Sequence, residues 1–279
     1  QKADMIFAVG GGRAVDTCKV VFTKLDKPFF TFPTVASNCA ACTAIAVIYN
    51  SDGTFKEYFY PKCPSYHTFI NTRIIADSPD SLLWAGIGDA LSKEYEVLFA
   101  TRAEELFHTT LLGAQLSKAC TAPLIDFGAK ALEDCKANKA SYELEQVALD
   151  IIISTGIVSN LTSGGEKYYY NSSLGHAFYY GSTVIPKAEK HLHGEVVSFG
   201  VLCLLTYDNQ LEERERIMKF HKTIGLPTCL ADMEITEEDI PAIVEKASTV
   251  REWTCVPYAT DKDKFAKAIL ETDKVGKTF

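Results

Sequence analysis

Residues 4–25 read DMIFAVGGGRAVDTCKVVFTKL, and this stretch decides the fold. Met5–Val9 is a short apolar run of the kind that forms a buried strand. Gly10, Gly11 and Gly12 follow, and Ala14–Leu25 then takes the apolar spacing of a helix. Pro28–Thr34, PFFTFPT, reads as a second strand, so the opening is one strand–helix–strand unit of the parallel type. Glycine between strand and helix lets backbone amides approach a phosphate, with the positive helix end behind them. The segment is neither G-x-G-x-x-G nor a Walker loop, so the glycines alone fit a phosphate site and a plain tight turn equally.

Working outward, residues 44–60 (AIAVIYNSDGTFKEYFY) alternate about Ser51-Asp52-Gly53, a hairpin signal. Residues 67–75 (HTFINTRII) read as a further strand. From Pro79 onward the pattern turns helical, with eight or so helices joined by short connections. The predicted architecture is therefore α/β: a Rossmann-like nucleotide-binding domain over residues 1–79 and an all-α domain over 80–279. Ser81 supplies N-cap chemistry near the boundary. The chain also opens without an initiator methionine, on a strand with no earlier partner. An N-terminal portion of the full protein is expected to be missing.

Bulk properties narrow the function. The chain has 279 residues, 47% hydrophobic and 23% charged, enough for two moderate cores. A net charge of −8 with scattered lysines and arginines argues against a nucleic-acid footprint or an anionic membrane surface. No uninterrupted apolar stretch of about 18 residues stands out. A cytoplasmic protein with no membrane and no nucleic-acid partner is expected. Nine cysteines are dispersed, and Cys39–Cys42 is their only CxxC pair. Without a second pair they read as reduced thiols acting as small hydrophobes.

Histidine is sparse, yet His191 and His193 stand in KHLHGEVV (190–197) and His176 in SLGHAFYYG (173–181). Asp89, in GIGDALSKEYE (86–96), interrupts an apolar helical pattern. Locally it reads either as a helix cap after Gly86 and Gly88 or as a metal ligand meeting His176 and His193. Three such ligands would leave a fourth zinc position for water or substrate, the arrangement of a catalytic site. Gly194 and Glu195 suit a helix start that would aim His193. His191 is then a surface residue or a neighbour of the ligands, and His67, His108 and His221 read as structural.

In this order the segments resemble the iron- or zinc-dependent alcohol dehydrogenases of the glycerol dehydrogenase type. GGGRAVDTCK is similar to that family's GGGxxxDxxK cofactor segment, giving Gly10, Gly11, Gly12, Asp16 and Lys19. FPTVASNCAACTAIAVIY resembles its PTxAS…(S/T)AxxVxY stretch, giving Thr34, Ser37, Thr43, Ile45 and Tyr49. GIGDAL, GHAFYYG and HGEVVSFG match its metal-binding segments, giving Asp89, His176 and His193.

The resemblance implies a two-domain enzyme that binds NAD in its α/β part and a metal in its helical part, with the active site between them. It implies oxidation of a small alcohol or polyol, and a homo-oligomer. NAD rather than NADP is expected from kinship alone, since the ribose-reading segment lies outside this chain. Where glycerol dehydrogenases carry an aspartate near substrate, two residues after the PTxAS serine, this chain has Cys39. Where iron-type members carry a further histidine, it has Lys93. That leaves three protein ligands, favours Zn2+ over Fe2+, and leads to the expectation that Lys93 turns away from the metal. Two alternatives remain: an NAD-using cyclase like 3-dehydroquinate synthase, and a catalytically inactive paralogue that binds nucleotide or metal.

Overall fold

The computed structural model describes residues 2–50, 55–165 and 167–279, the Phe55 side chain excepted. Strand β1 (Ile6–Gly10) runs into helix α1 (Gly12–Leu25), and β2 (Phe29–Pro33) pairs with β1 in parallel, Ile6 opposite Phe29. β3 (Ala46–Tyr49) and β4 (Phe55–Phe59) form a separate antiparallel pair. The hairpin turn expected at Ser51–Gly53 lies outside the described residues. β5 (His67–Thr68) closes a parallel sheet of order β1-β2-β5.

The strand expected over residues 67–75 is mostly absent. β5 ends at Thr68, and Thr72–Ala76 is a short helix, α2. Asn71 is the cause: its side chain accepts the Arg73 N–H at 3.0 Å, an N-cap that starts a helix. The next helix, α3 (Asp80–Ala90), already begins at Asp80 with Pro79 before it and no side-chain cap bond. Ser81 is therefore inside the helix rather than capping it.

The helical part then runs α4 (Ser92–Thr101), α5 (His108–Ser117), α6 (Ala122–Lys136), α7 (Tyr142–Leu149) and α8 (Thr155–Thr162). It continues through α9 (Leu174–Ser182), α10 (His193–Tyr207), α11 (Leu211–Ile224), α12 (Ile240–Ala247), α13 (Arg251–Thr254) and α14 (Lys262–Gly276). The helices outnumber the eight expected because the segment 81–102 breaks at Leu91 into α3 and α4, and because short helices are hard to see in a pattern. α7 and α8 are joined through a π-helical turn, Asp150–Ser154, into one apolar run from Tyr142 to Thr162. That run is long and apolar enough to cross a membrane, but Leu144, Val147, Ile151 and Ile152 are buried in the protein core.

α10 is the centre of the helical core. Val196, Val197 and Phe199 through Leu205 have essentially no exposed surface, on every side of the helix, which marks a fully surrounded core element. The strands pack more thinly. Phe22 of α1 stacks on Phe29 of β2 at 4.6 Å, covering one face of the sheet. The β3–β4 pair is tied to the helices through Tyr58, whose hydroxyl donates to Glu252 Oε1 at 2.9 Å and lies 2.7 Å from the Tyr180 hydroxyl. All nine cysteines are free thiols.

Candidate active site

Three glycines make the approach that builds the site. A Cβ on Gly86 would lie 2.1 Å from Ala36 O, so α3 presses directly on the loop after β2. A Cβ on Gly88 would lie 2.4 Å from Gly194 O, and one on Gly194 only 1.8 Å from Ala85 O. α3 and the start of α10 thus meet backbone to backbone. Asp89 follows Gly88 and His193 precedes Gly194, so this contact sets the two side chains against each other. His193 Nε2 stands 3.2 Å from Asp89 Oδ1, and His176 Nε2 of α9 stands 3.5 Å from the same oxygen. One atom from each residue falls within a 4.8 Å cluster.

Glu96, on α4, anchors this group from behind. It is fully buried, and its Oε1 accepts the backbone N–H groups of Ser173 and His176, both at 2.8 Å. Its Oε2 lies 2.6 Å from His176 Nδ1, which fixes that ring and turns Nε2 toward Asp89. Burial alone would lower the His176 pKa, but Glu96 and Asp89 on its two sides push it up to about 10. Burial alone would raise Asp89, yet His176 and His193 hold its carboxyl far below the usual carboxylate range. Glu96 is likewise held low, against its burial, by His176 and the two backbone N–H groups.

The donor set fits a divalent metal. Ligand atoms about 2.1 Å from a tetrahedral ion stand about 3.4 Å apart, and the two imidazole–carboxylate separations match that spacing. Asp89 Oδ1 is buried and faces only the two imidazole nitrogens, with no well-aligned hydrogen bond among the described residues. The carboxylate behind His176 is the arrangement that orients a metal-binding imidazole. Lys93 behaves as expected for a residue excluded from such a site. Its ammonium donates to Asn171 Oδ1 at 2.6 Å and to Asn171 O at 3.3 Å. His191 Nδ1 lies 2.8 Å from Glu195 Oε1, whose other oxygen accepts the Leu192 N–H at 3.0 Å and caps α10. It is a neighbour, outside the three.

The other sequence-selected residues form two groups. Gly10, with φ of +147°, Gly11 and Gly12 turn the chain from β1 into α1, and Thr34 N–H donates to Gly10 O at 3.3 Å. α1 begins at Gly11–Gly12 without a side-chain cap among the described residues, a helix start of the kind that can receive an anion. Ser37 lies alongside, against Gly86. The second group is buried. Lys19 donates to Asp16 Oδ1 at 2.9 Å, to Thr43 Oγ1 at 3.1 Å and to the carbonyl of Ile45, while Asp16 Oδ2 accepts the Val47 N–H at 3.0 Å. This network ties α1 to the loop and β3. Tyr49 is exposed, with the Arg13 guanidinium 5.4 Å above its ring.

Glu96, Tyr179 and Arg13 were not singled out by sequence reasoning. Glu96 stands seven residues after Asp89 but on the next helix, beyond the break at Leu91, so its spacing in the sequence carried no signal. Arg13 sits in the first turn of the helix after the glycines, a position that itself favours anion contact.

Comparison with known proteins places the chain in a family. A family model described as iron-containing alcohol dehydrogenase matches residues 1–70. Glycerol dehydrogenase of Thermotoga maritima is 33% identical over 256 residues, covering 88% of this chain and 68% of that protein. Glycerol dehydrogenase of Escherichia coli is 33% identical over 288 positions, covering 98% and 75%. The chain belongs to the iron-containing alcohol dehydrogenase family. A solved structure from Sinorhizobium meliloti 1021, described as a probable glycerol dehydrogenase, superposes with a TM-score of 0.87 at 28% identity, covering 99% of this chain and 78% of that one. The Rossmann-like plus helical architecture follows, as does the class of enzyme: an oxidoreductase acting on an alcohol or polyol.

Proposed function

We propose that this protein oxidises a small polyol or hydroxy compound with NAD, and that Asp89, His176 and His193 hold one zinc ion at its active site. The observation that carries the proposal is the convergence of three ligand atoms from three separate helices, with a buried carboxylate behind one of them. Zinc is favoured over iron because the set offers three protein ligands and Lys93 bonds elsewhere. Such an ion, when bound, lowers the pKa of a substrate hydroxyl and stabilises the alkoxide.

The residues of the chain do the rest. Glu96 holds the His176 proton at Nδ1, so Nε2 is presented to the ion. The Gly10–Gly12 turn and the uncapped start of α1 receive the cofactor pyrophosphate, with Arg13 in the same turn. The loop from Thr34 to Cys39 lies between that turn and α3, which bears Asp89, and so joins the cofactor and metal halves. We put the boundary between the two domains near residue 79, a reading supported by the change from strands to α3 there.

NADH formation, followed by absorbance across a panel of glycerol, vicinal diols and 2-hydroxy acids, tests the reading. Zinc-loaded protein should turn over at least one of them, and His193→Ala should lose about 100-fold or more, the scale of removing a group that stabilises developing charge. No NAD reduction across the panel by zinc-loaded protein would contradict it.

A further inference from the structure

The two histidines of the site are held in place by different means. His176 has the Glu96 carboxylate at Nδ1, 2.6 Å away. His193 has no counterpart. Its side chain is 40% exposed, its Nε2 faces Asp89, and its Nδ1 makes no hydrogen bond among the described residues. Yet an imidazole that binds a metal is ordinarily fixed by a partner on its other nitrogen, because a ring free to rotate must be ordered when the ion arrives.

What His193 does touch is an aromatic ring. The Tyr179 ring centroid lies 4.2 Å from that of His193, with the planes at 78°. This is an edge-to-face contact, slightly closer than the about 4.5–7 Å usual between larger aromatic rings, as the smaller imidazole ring permits. Tyr179 is on α9, three residues after His176 and so almost one turn along the same helix. One helix therefore supplies one ligand and the ring that packs on another. The Tyr179 hydroxyl makes no hydrogen bond among the described residues, so the contact is made by the ring.

We infer that Tyr179 is the positioning residue of His193, its ring holding the imidazole in the metal-binding orientation as Glu96 holds His176. The inference rests on the metal reading of Asp89, His176 and His193. It separates the ring of Tyr179 from its hydroxyl: Tyr179→Phe keeps the function and an aliphatic side chain of similar bulk loses it.

The test is metal affinity, read without turnover. Apoprotein of the parent, Tyr179→Phe, Tyr179→Leu and Tyr179→Met is titrated with Zn2+ against a chromophoric chelator, and with Co2+ for its visible ligand-field bands. Thermal melts of the apoproteins identify any variant that fails to fold. The parent and Tyr179→Phe should bind one ion with Kd within about threefold of each other. Whichever of the Leu and Met variants folds should bind at least about tenfold more weakly, the scale seen when an orienting partner is removed, with altered Co2+ bands. Leu and Met variants that bind like the parent would overturn the inference, as would a Phe variant as weak as they are. A parent that binds no ion would instead refute the metal reading, a different failure.

Discussion

At Glu96 a carboxylate with no exposed surface receives two backbone N–H groups and faces His176 Nδ1. Glu96→Gln keeps the shape but not the chemistry. If its carbonyl oxygen serves the two N–H groups, its amide must face Nδ1 as a donor, which moves the ring proton to Nε2, the atom turned toward Asp89. We expect metal Kd to rise about 10- to 100-fold, measured by chelator competition, with the fold intact. Glu96→Ala leaves two buried N–H groups unpaired and should cost about 2–5 kcal/mol of stability by denaturant unfolding. At this scale the sequence pointed to the three clustered residues and not to their support. Asp89, His176 and His193 stand in motifs whose order resembles the family's metal-binding segments, and the fold brings them together. Nothing in SKEYEVL distinguishes Glu96 from Glu94, because only the packing of α4 on α9 gives one of them a histidine. For the same reason Asp16 and Lys19, which sequence assigns to the cofactor, bond to each other and to the Thr43–Ile45 loop in the fold. The resemblance named the positions, but a motif carries no bond geometry.

Between elements, the α3–α10 contact depends on positions that admit no side chain. Gly194→Ala would drive a methyl into Ala85 O, and the helices must part. Overpacking of this kind costs about 1–3 kcal/mol, and here it also separates Asp89 from His193. A lower melting temperature together with lost zinc binding is expected; a variant that keeps both would show that the contact is not what brings the two side chains together. The π-helical turn between α7 and α8 carries Asp150, which is buried, and burial pushes its pKa up to about 7, with Ser154 offsetting part of the effect. Unfolded, the group titrates near 3.9. Between about pH 4 and pH 7 the folded state therefore keeps a proton that the unfolded state has lost, so this group lowers stability as pH rises through that window. Asp150→Asn should raise the melting temperature more at pH 8 than at pH 5, with a difference of up to about 2.5 kcal/mol between the two conditions. Equal changes at both pH values would contradict it. Helices were easier to read than their ends. The spacing of apolar residues in the first segment after Pro79 is visible, but its break at Leu91 and the Asn71 cap of α2 depend on single residues within ambiguous patterns.

At the scale of the whole molecule, the described residues cover the three-stranded sheet on one side only. Phe22 and Val15 of α1 pack beneath it, whereas Phe7, Val9, Tyr66 and Phe69 are each half exposed or more. On that open side Phe7 meets Phe32 at 5.3 Å, and Phe32 stacks on Phe69 at 4.8 Å. Parallel sheets are ordinarily buried on both faces, and a contiguous exposed aromatic patch favours association. This chain should self-associate with concentration in sedimentation experiments, and Phe7→Lys with Phe69→Lys should weaken that association at least several-fold. Sedimentation unchanged by the substitutions would place any oligomer interface elsewhere. The α/β-plus-helical layout was legible from one glycine turn and the change of pattern after Pro79. The bare face follows from a period-2 alternation in β2, where Phe29 and Thr31 point inward while Phe30 and Phe32 point out.

The central claim is that Asp89, His176 and His193 hold one metal ion, and anomalous diffraction at the zinc absorption edge tests it most directly. Crystals of zinc-loaded protein should show one strong peak about 2.1 Å from a carboxylate oxygen of Asp89 and from Nε2 of both histidines. A peak only elsewhere, or an Asp89–His176–His193 cluster without one at saturating zinc, would contradict the account.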